Sequence, residues 1–175
     1  TAGYPDDPQR LFIVSAGNVR DSQDFKAYPD SNLTKSVENP AQSWNAVTVG
    51  AYTEKIQISD PDCHDHEIVA PFGGLSPYST TSLLWDRKKW PHKPDIVFEG
   101  GNRSKSPDGF VGDHEDLEIL TTHHNVTERQ FSTIHGTSSA TAYAAWMAAQ
   151  IQTVYPHAWP ETIRGLMIHS AQWTD

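Results

Sequence analysis

The run from Ser138 to Val154 constrains the fold more than any other part of this chain. Ala140, Ala142, Ala144, Ala145, Ala148 and Ala149 leave the helix it predicts with almost no polar face. A helix apolar on all sides has to be buried, and small side chains let it approach a sheet closely. The pattern opens at Gly136-Thr137-Ser138-Ser139-Ala140 and stops at Tyr155-Pro156. That opening puts hydroxyls in the first helical turn, where backbone N–H groups are unpaired and the helix end is positive. Such a place suits a nucleophile beside an oxyanion donor, and it equally suits Ser or Thr as a plain helix cap.

Three apolar runs supply the sheet that this helix needs. Leu11-Phe12-Ile13-Val14-Ser15, Asn45 to Ala51 and Asp95-Ile96-Val97-Phe98 are short and continuous, as expected of strands buried on both faces of a parallel sheet. Gln130 to Ile134 reads as a further strand feeding the Ser138 helix. A last helix is expected from Pro160, with Ile163, Leu166 and Met167 at core spacing. Val19 to Pro40 is irregular, Thr80 to Pro94 reads as an aromatic, basic surface loop, and Gly109 to Asn125 reads as acidic and exposed. No internal repeat or linker divides the 175 residues, so a single domain is expected over 1–175.

Composition excludes more than it identifies. A formal charge of −9 gives no basic stripe for nucleic acid. One cysteine, Cys63, excludes an internal disulfide framework and a cysteine-rich zinc site. No apolar stretch reaches membrane-spanning length, so no membrane partner is expected. Thr1 to Pro5 lacks the basic start and apolar core of a secretion signal, and localisation stays open.

The candidate chemistry lies on two positions. Asn18 follows the first strand at its C-terminal end, where ligands sit in open α/β sheets. Its amide could aim an N–H at a developing oxyanion; it could also be a turn residue after Gly17. Ser138 offers a nucleophilic hydroxyl and a backbone donor for the same oxygen, the pairing that acyl transfer requires.

These residues resemble the subtilisin-like serine proteases, the subtilases. Ser15-Ala16-Gly17-Asn18 looks like the family's oxyanion-asparagine motif, and Asn45 to Ala51 is similar to its following core strand. Leu75-Ser76-Pro77-Tyr78-Ser79 and Lys93-Pro94-Asp95-Ile96-Val97 resemble its next two segments. The latter usually continues Ala-Pro-Gly and here reads Phe98-Glu99-Gly100. Gly136 to Ala140 matches the nucleophile motif, with Ser139 where many members have Met, and Pro160 to Ala171 resembles the closing helix. The matches stand in family order over nearly the whole chain.

The resemblance implies an α/β, three-layer subtilisin-like fold with a mainly parallel sheet, incomplete at its N-terminal side. It implies a serine endopeptidase with Ser138 as nucleophile and Asn18 as oxyanion-hole donor. His135-Gly136-Thr137 also looks like the family's histidine motif. In subtilases, however, the order is Asp, His, Ser, so a histidine this late reads as a neighbour of the site. The family's Asp and His should precede Asn18, where no histidine occurs and where Asp6 and Asp7 lie in a proline-flanked loop. The chain therefore reads as the C-terminal portion of a catalytic domain, inactive as a peptidase alone. It should self-associate or be held by another chain along its exposed sheet edge.

No cofactor is expected for the chemistry. A structural calcium ion is compatible with the family, although His64-Asp65-His66-Glu67, Asp113-His114-Glu115-Asp116 and His123-His124 read as solvated loop charge. Sequons at Asn32, Asn102 and Asn125 indicate polar loops. Two alternatives remain: a non-catalytic binding module of the same fold, and a sedolisin-like carboxyl peptidase, which would have Asp at the oxyanion position.

Overall fold

A computed structural model describes residues 9–86 and 88–174. In chain order they form β1 (Ile13–Ser15), α1 (Ser22–Lys26), α2 (Asp30–Thr34), β2 (Val47–Tyr52), β3 (Glu67–Ile68), β4 (Ile96–Glu99), β5 (Ser104–Lys105), β6 (Val111–Gly112), β7 (Ile119–Thr122), β8 (Phe131–Ile134), α3 (Thr137–Val154) and α4 (Pro160–Ser170). Asp6 and Asp7 lie outside the described residues.

The fold is α/β. The three apolar runs become β1, β2 and β4, which pair in parallel in the order β1-β2-β4. Ile13 lies opposite Val47, and Val49 opposite Ile96. On one face, Val47, Val49, Ala51 and Ile96 pack against Ala140, Ala144 and Ala148 of α3. Those alanines recur every four residues and so form one stripe of the helix. Ile163 and Met167 of α4 close this core, each burial contributing about 1.5–3 kcal/mol.

The opposite face is covered by irregular chain and the short helices. Thr48 Oγ1 donates to Ala41 O at 2.7 Å, and Ala51 N donates to Ser79 Oγ at 3.0 Å. Behind them, Asn32 of α2 donates from Nδ2 to Ser76 O and Ser79 O, both at 2.8 Å. Lys93 is buried at the sheet's edge, its Nζ on Asp95 Oδ2 at 2.6 Å and on Ala46 O at 3.1 Å. Asp95 Oδ2 also accepts from Thr48 N at 2.8 Å, so one carboxylate ties β2 to the residue before β4.

Several local expectations change. The irregular stretch after Val19 contains α1 and α2, each of five residues. Thr80, Ser82 and Lys93 are buried, so the segment to Pro94 is partly interior. The acidic stretch from Gly109 is not simply exposed: Leu117, Glu118 and Ile119 are buried, and β7 pairs antiparallel with β8. Its acidic side chains mask that apolar spacing. Asn32 and Asn102 are fully buried. Asn102 meets Ala70 N, Arg103 N, Lys55 O and Ala70 O, which leaves its amide no access for a glycan.

The all-round burial expected of α3 is also not found among the described residues. Ala142, Tyr143, Ala145, Trp146 and Ala149 are exposed, Trp146 at 63 %. A three-stranded sheet covers one stripe of an 18-residue helix and leaves its other apolar side open.

Candidate active site

Two element ends meet where β1 stops and α3 starts. After Ser15 the chain turns through Gly17, and Asn18 forms an isolated bridge with Ser79. Val19 N donates to Tyr78 O at 2.8 Å, which extends this anchor by one residue. Gly136 N donates to Gly100 O at 2.7 Å and so fixes α3 to the loop after β4.

Asn18 and Thr137 join the two ends. Thr137 N donates to Asn18 Oδ1 at 2.8 Å, and Thr137 Oγ1 lies 3.1 Å from both Asn18 Oδ1 and Gly17 O. The backbone N–H requires an acceptor, which settles the orientation of the amide. Asn18 Nδ2 is left without a hydrogen-bond partner among the described residues. The backbone N–H and the hydroxyl of Ser138 likewise have none there, and Ser138 is exposed. Asn18 Oδ1 thus serves structure while its N–H₂ stays available.

Gly136 makes this approach possible. Its φ of 93° and ψ of 179° belong to a region that is essentially glycine-only. A Cβ there would sit 2.8 Å from Asn18 Oδ1. Ser139, beside the candidate nucleophile, faces inward and donates to Gly136 O at 2.7 Å. The two adjacent serines therefore differ: one hydroxyl is committed to backbone, the other is open to solvent.

His135 is engaged elsewhere. Its Nδ1 lies 2.6 Å from Glu118 Oε1, and its ring stacks on Tyr78 at 4.3 Å and 8°. Tyr78 Oη donates to Asp113 Oδ1 at 2.5 Å. Burial pushes the Tyr78 phenol far above its usual range, the bond to Asp113 adds to this, and Arg103 opposes it. Tyr78 therefore remains a neutral donor. Arg103 pairs with Asp113 at 2.9 Å and lies 3.7 Å over the Phe25 ring. Sequence reasoning named Tyr78 only as part of a motif and missed Glu118 and Arg103. Glu118 sits in an acidic run that resembles solvated charge, and no local spacing distinguishes it.

An apolar groove of about 420 Å³ adjoins this end of α3. Ile119, Leu120 and Ile134 from the β7–β8 hairpin form one wall, and Ala142, Tyr143 and Trp146 form the other.

Comparison with known proteins gives the family of the chain. A sequence model described as "Subtilase family" matches residues 2–175. The chain is also similar to the uncharacterized protein y4bN of Sinorhizobium fredii, 30% identical over 176 residues. That alignment takes in 93% of this chain and 40% of the relative, so the chain spans well under half of the relative's length.

Proposed function

The chain belongs to the subtilase family, a family of serine proteases, and we propose that it carries the nucleophile and oxyanion hole of a serine endopeptidase. Ser138 Oγ attacks the carbonyl carbon of a peptide bond. Asn18 Nδ2 and the Ser138 backbone N–H donate to the oxygen as it becomes negative. A histidine base, oriented by an aspartate, takes the Ser138 proton and delivers it to the leaving amine. Water then attacks the acyl-serine, returns the hydroxyl of Ser138 and releases the carboxylate product. No step requires a cofactor, and a calcium ion would serve structure only.

The observation that carries this reading is the hydrogen bond from Thr137 N to Asn18 Oδ1. It commits Asn18 Oδ1 to the start of α3, one residue before Ser138, and leaves Nδ2 without a partner among the described residues. Preorganised donors of this kind are commonly the largest electrostatic contribution to acyl transfer.

The base and its aspartate are assigned to sequence outside these 175 residues, within a longer catalytic domain of which this is the C-terminal portion. Two considerations support that assignment. A histidine as late as His135 does not fit the family order of Asp, His and Ser, and the similar bacterial protein is much longer than the match. The exposed apolar side of α3 and its groove fit the same picture, as a surface for the rest of the domain, another chain or a second copy. Substrates on this reading are peptides or proteins. Asn18, where a sedolisin-like enzyme would carry Asp, favours the serine-peptidase mechanism.

The test is peptide hydrolysis by the full-length gene product beside its Ser138→Ala variant. Activity that disappears in the variant supports the reading. Equal activity in both, with folding intact, refutes it. An inactive full-length protein that binds peptides in this cleft would instead identify a non-catalytic binding module.

A further inference from the structure

We propose that Asp60, Cys63 and His114 form a binding site for a thiophilic divalent cation of the zinc class. One ligand atom from each of the three lies within 4.8 Å of the others. A thiolate, an imidazole and a carboxylate are the donor types that zinc takes, and three protein ligands leave a fourth position for water.

The site is built from two separate pieces of chain. Pro61–Cys63 is a 3₁₀ turn capped by Asp60, whose side chain accepts from Asp62 N at 2.9 Å. Side chains three residues apart eclipse one another on such a turn, which brings Asp60 and Cys63 to one side. His114 caps a second 3₁₀ turn, Glu115–Leu117. Independent bonds pin the turns together: Ser59 N and Ser59 Oγ donate to Asp116 Oδ2 at 2.6 and 2.7 Å. The ligands are therefore held near one another without a metal.

Charge favours a cation here. The carboxylates of Asp60, Asp62, Asp65 and Asp116 all act on Cys63, and a bound divalent ion would offset their mutual repulsion. The other mixed cluster, Asp113, Glu118 and His135, differs on this point. Arg103 already supplies a cation to Asp113, and His135 is already bonded to Glu118.

Binding has a definite proton balance. The Cys63 S–H bond breaks, a metal–sulfur bond forms, and the proton leaves to solvent. His114 enters as a neutral imidazole and gives up the 3.2 Å bond from Asp116 N to its Nδ1. A bound metal would fasten the segment carrying Cys63 to the turn that leads into β7. That turn ends at Glu118, the partner of His135 beside the nucleophile motif.

The test is titration of the metal-free full-length gene product with Co²⁺ and then Zn²⁺. A thiolate-to-cobalt charge-transfer band should appear, saturate at one equivalent and vanish when Zn²⁺ displaces the cobalt. Buffer dependence should show about one proton released per metal. Cys63→Ser should abolish the band, and Cys63→Ser and His114→Ala should each weaken Zn²⁺ binding at least ~100-fold. Asp60→Asn keeps an oxygen for the Asp62 N–H, so it should weaken binding while leaving circular dichroism unchanged. Absence of the band, or Zn²⁺ affinity unchanged in both the Cys63 and His114 variants, overturns the site and leaves adventitious binding at other histidines only.

Discussion

Thr137 N and Asn18 Oδ1 are joined by a 2.8 Å hydrogen bond across 119 positions of sequence. This bond fastens the start of α3 to the end of β1, and it fixes which end of the Asn18 amide remains free. Fold and proposed chemistry therefore depend on the same side chain. On the proposed function, Asn18→Ala should lower kcat in the full-length protein on the order of 10²–10³ with little change in KM, the loss known for the oxyanion asparagine of subtilisin, a member of the same family. Steady-state kinetics decide it: a proportional rise in KM with kcat unchanged would mean that Asn18 binds substrate rather than the oxyanion.

Gly136→Ala tests the backbone beneath that contact. The added methyl must occupy a backbone region that L-residues avoid and also push on Asn18 Oδ1. The expected cost is about 1–3 kcal/mol of stability from the backbone alone. Chemical denaturation measures it, and kcat should fall with it. A variant with undiminished stability and activity would show that α3 can start without a glycine.

Lys93 makes the clearest stability prediction. Its ammonium is fully buried and holds Asp95, which also accepts from the backbone of β2. Lys93→Met leaves that carboxylate without its principal cation, because the Arg164 guanidinium stands 3.7 Å away. A loss of about 3–5 kcal/mol is expected in urea unfolding. Adding Asp95→Asn should restore part of it; a double variant no more stable than Lys93→Met would mean that the charge is not the cause.

Asp108 sets a local acid sensitivity. The Ser106 hydroxyl, followed by the Phe110 N–H, holds its carboxyl below the usual carboxylate range. A depressed folded value stabilises the fold above the unfolded pKa of about 3.9 and loses that contribution as pH falls through the folded value. Ser106→Ala should therefore destabilise at neutral pH, and the difference from the parent should shrink below about pH 3.9. Paired melts from neutral pH down through the carboxylate range would show it. A constant difference would place the effect of Ser106 in its other bond, to Phe110 O.

Much of this was legible in the sequence because it is local. The strands at Ile13, Val47 and Ile96 announce themselves as uninterrupted apolar runs, and Tyr155-Pro156 marks the end of α3. Asn18 and Ser138 were visible as candidates from their positions at a strand end and a helix start. Contacts without local spacing were not legible. Glu118 meets His135 only because β7 folds back on β8, and an acidic residue among acidic neighbours gives no sign of that. The exposed side of α3 was misjudged for a related reason. Residue types show that Tyr143 and Trp146 are apolar, but the number of strands available to cover them is a property of the sheet.

The central claim is that the Ser138 hydroxyl and the Asn18 carboxamide act on one carbonyl. Fluorophosphonate labelling of the full-length protein, followed by peptide mass spectrometry, tests it most directly. The account predicts an adduct on the peptide containing Ser138, formed far more slowly in Asn18→Ala and absent in Ser138→Ala. An active peptidase labelled at a different residue, or labelled at Ser138 equally fast without the Asn18 amide, would contradict it.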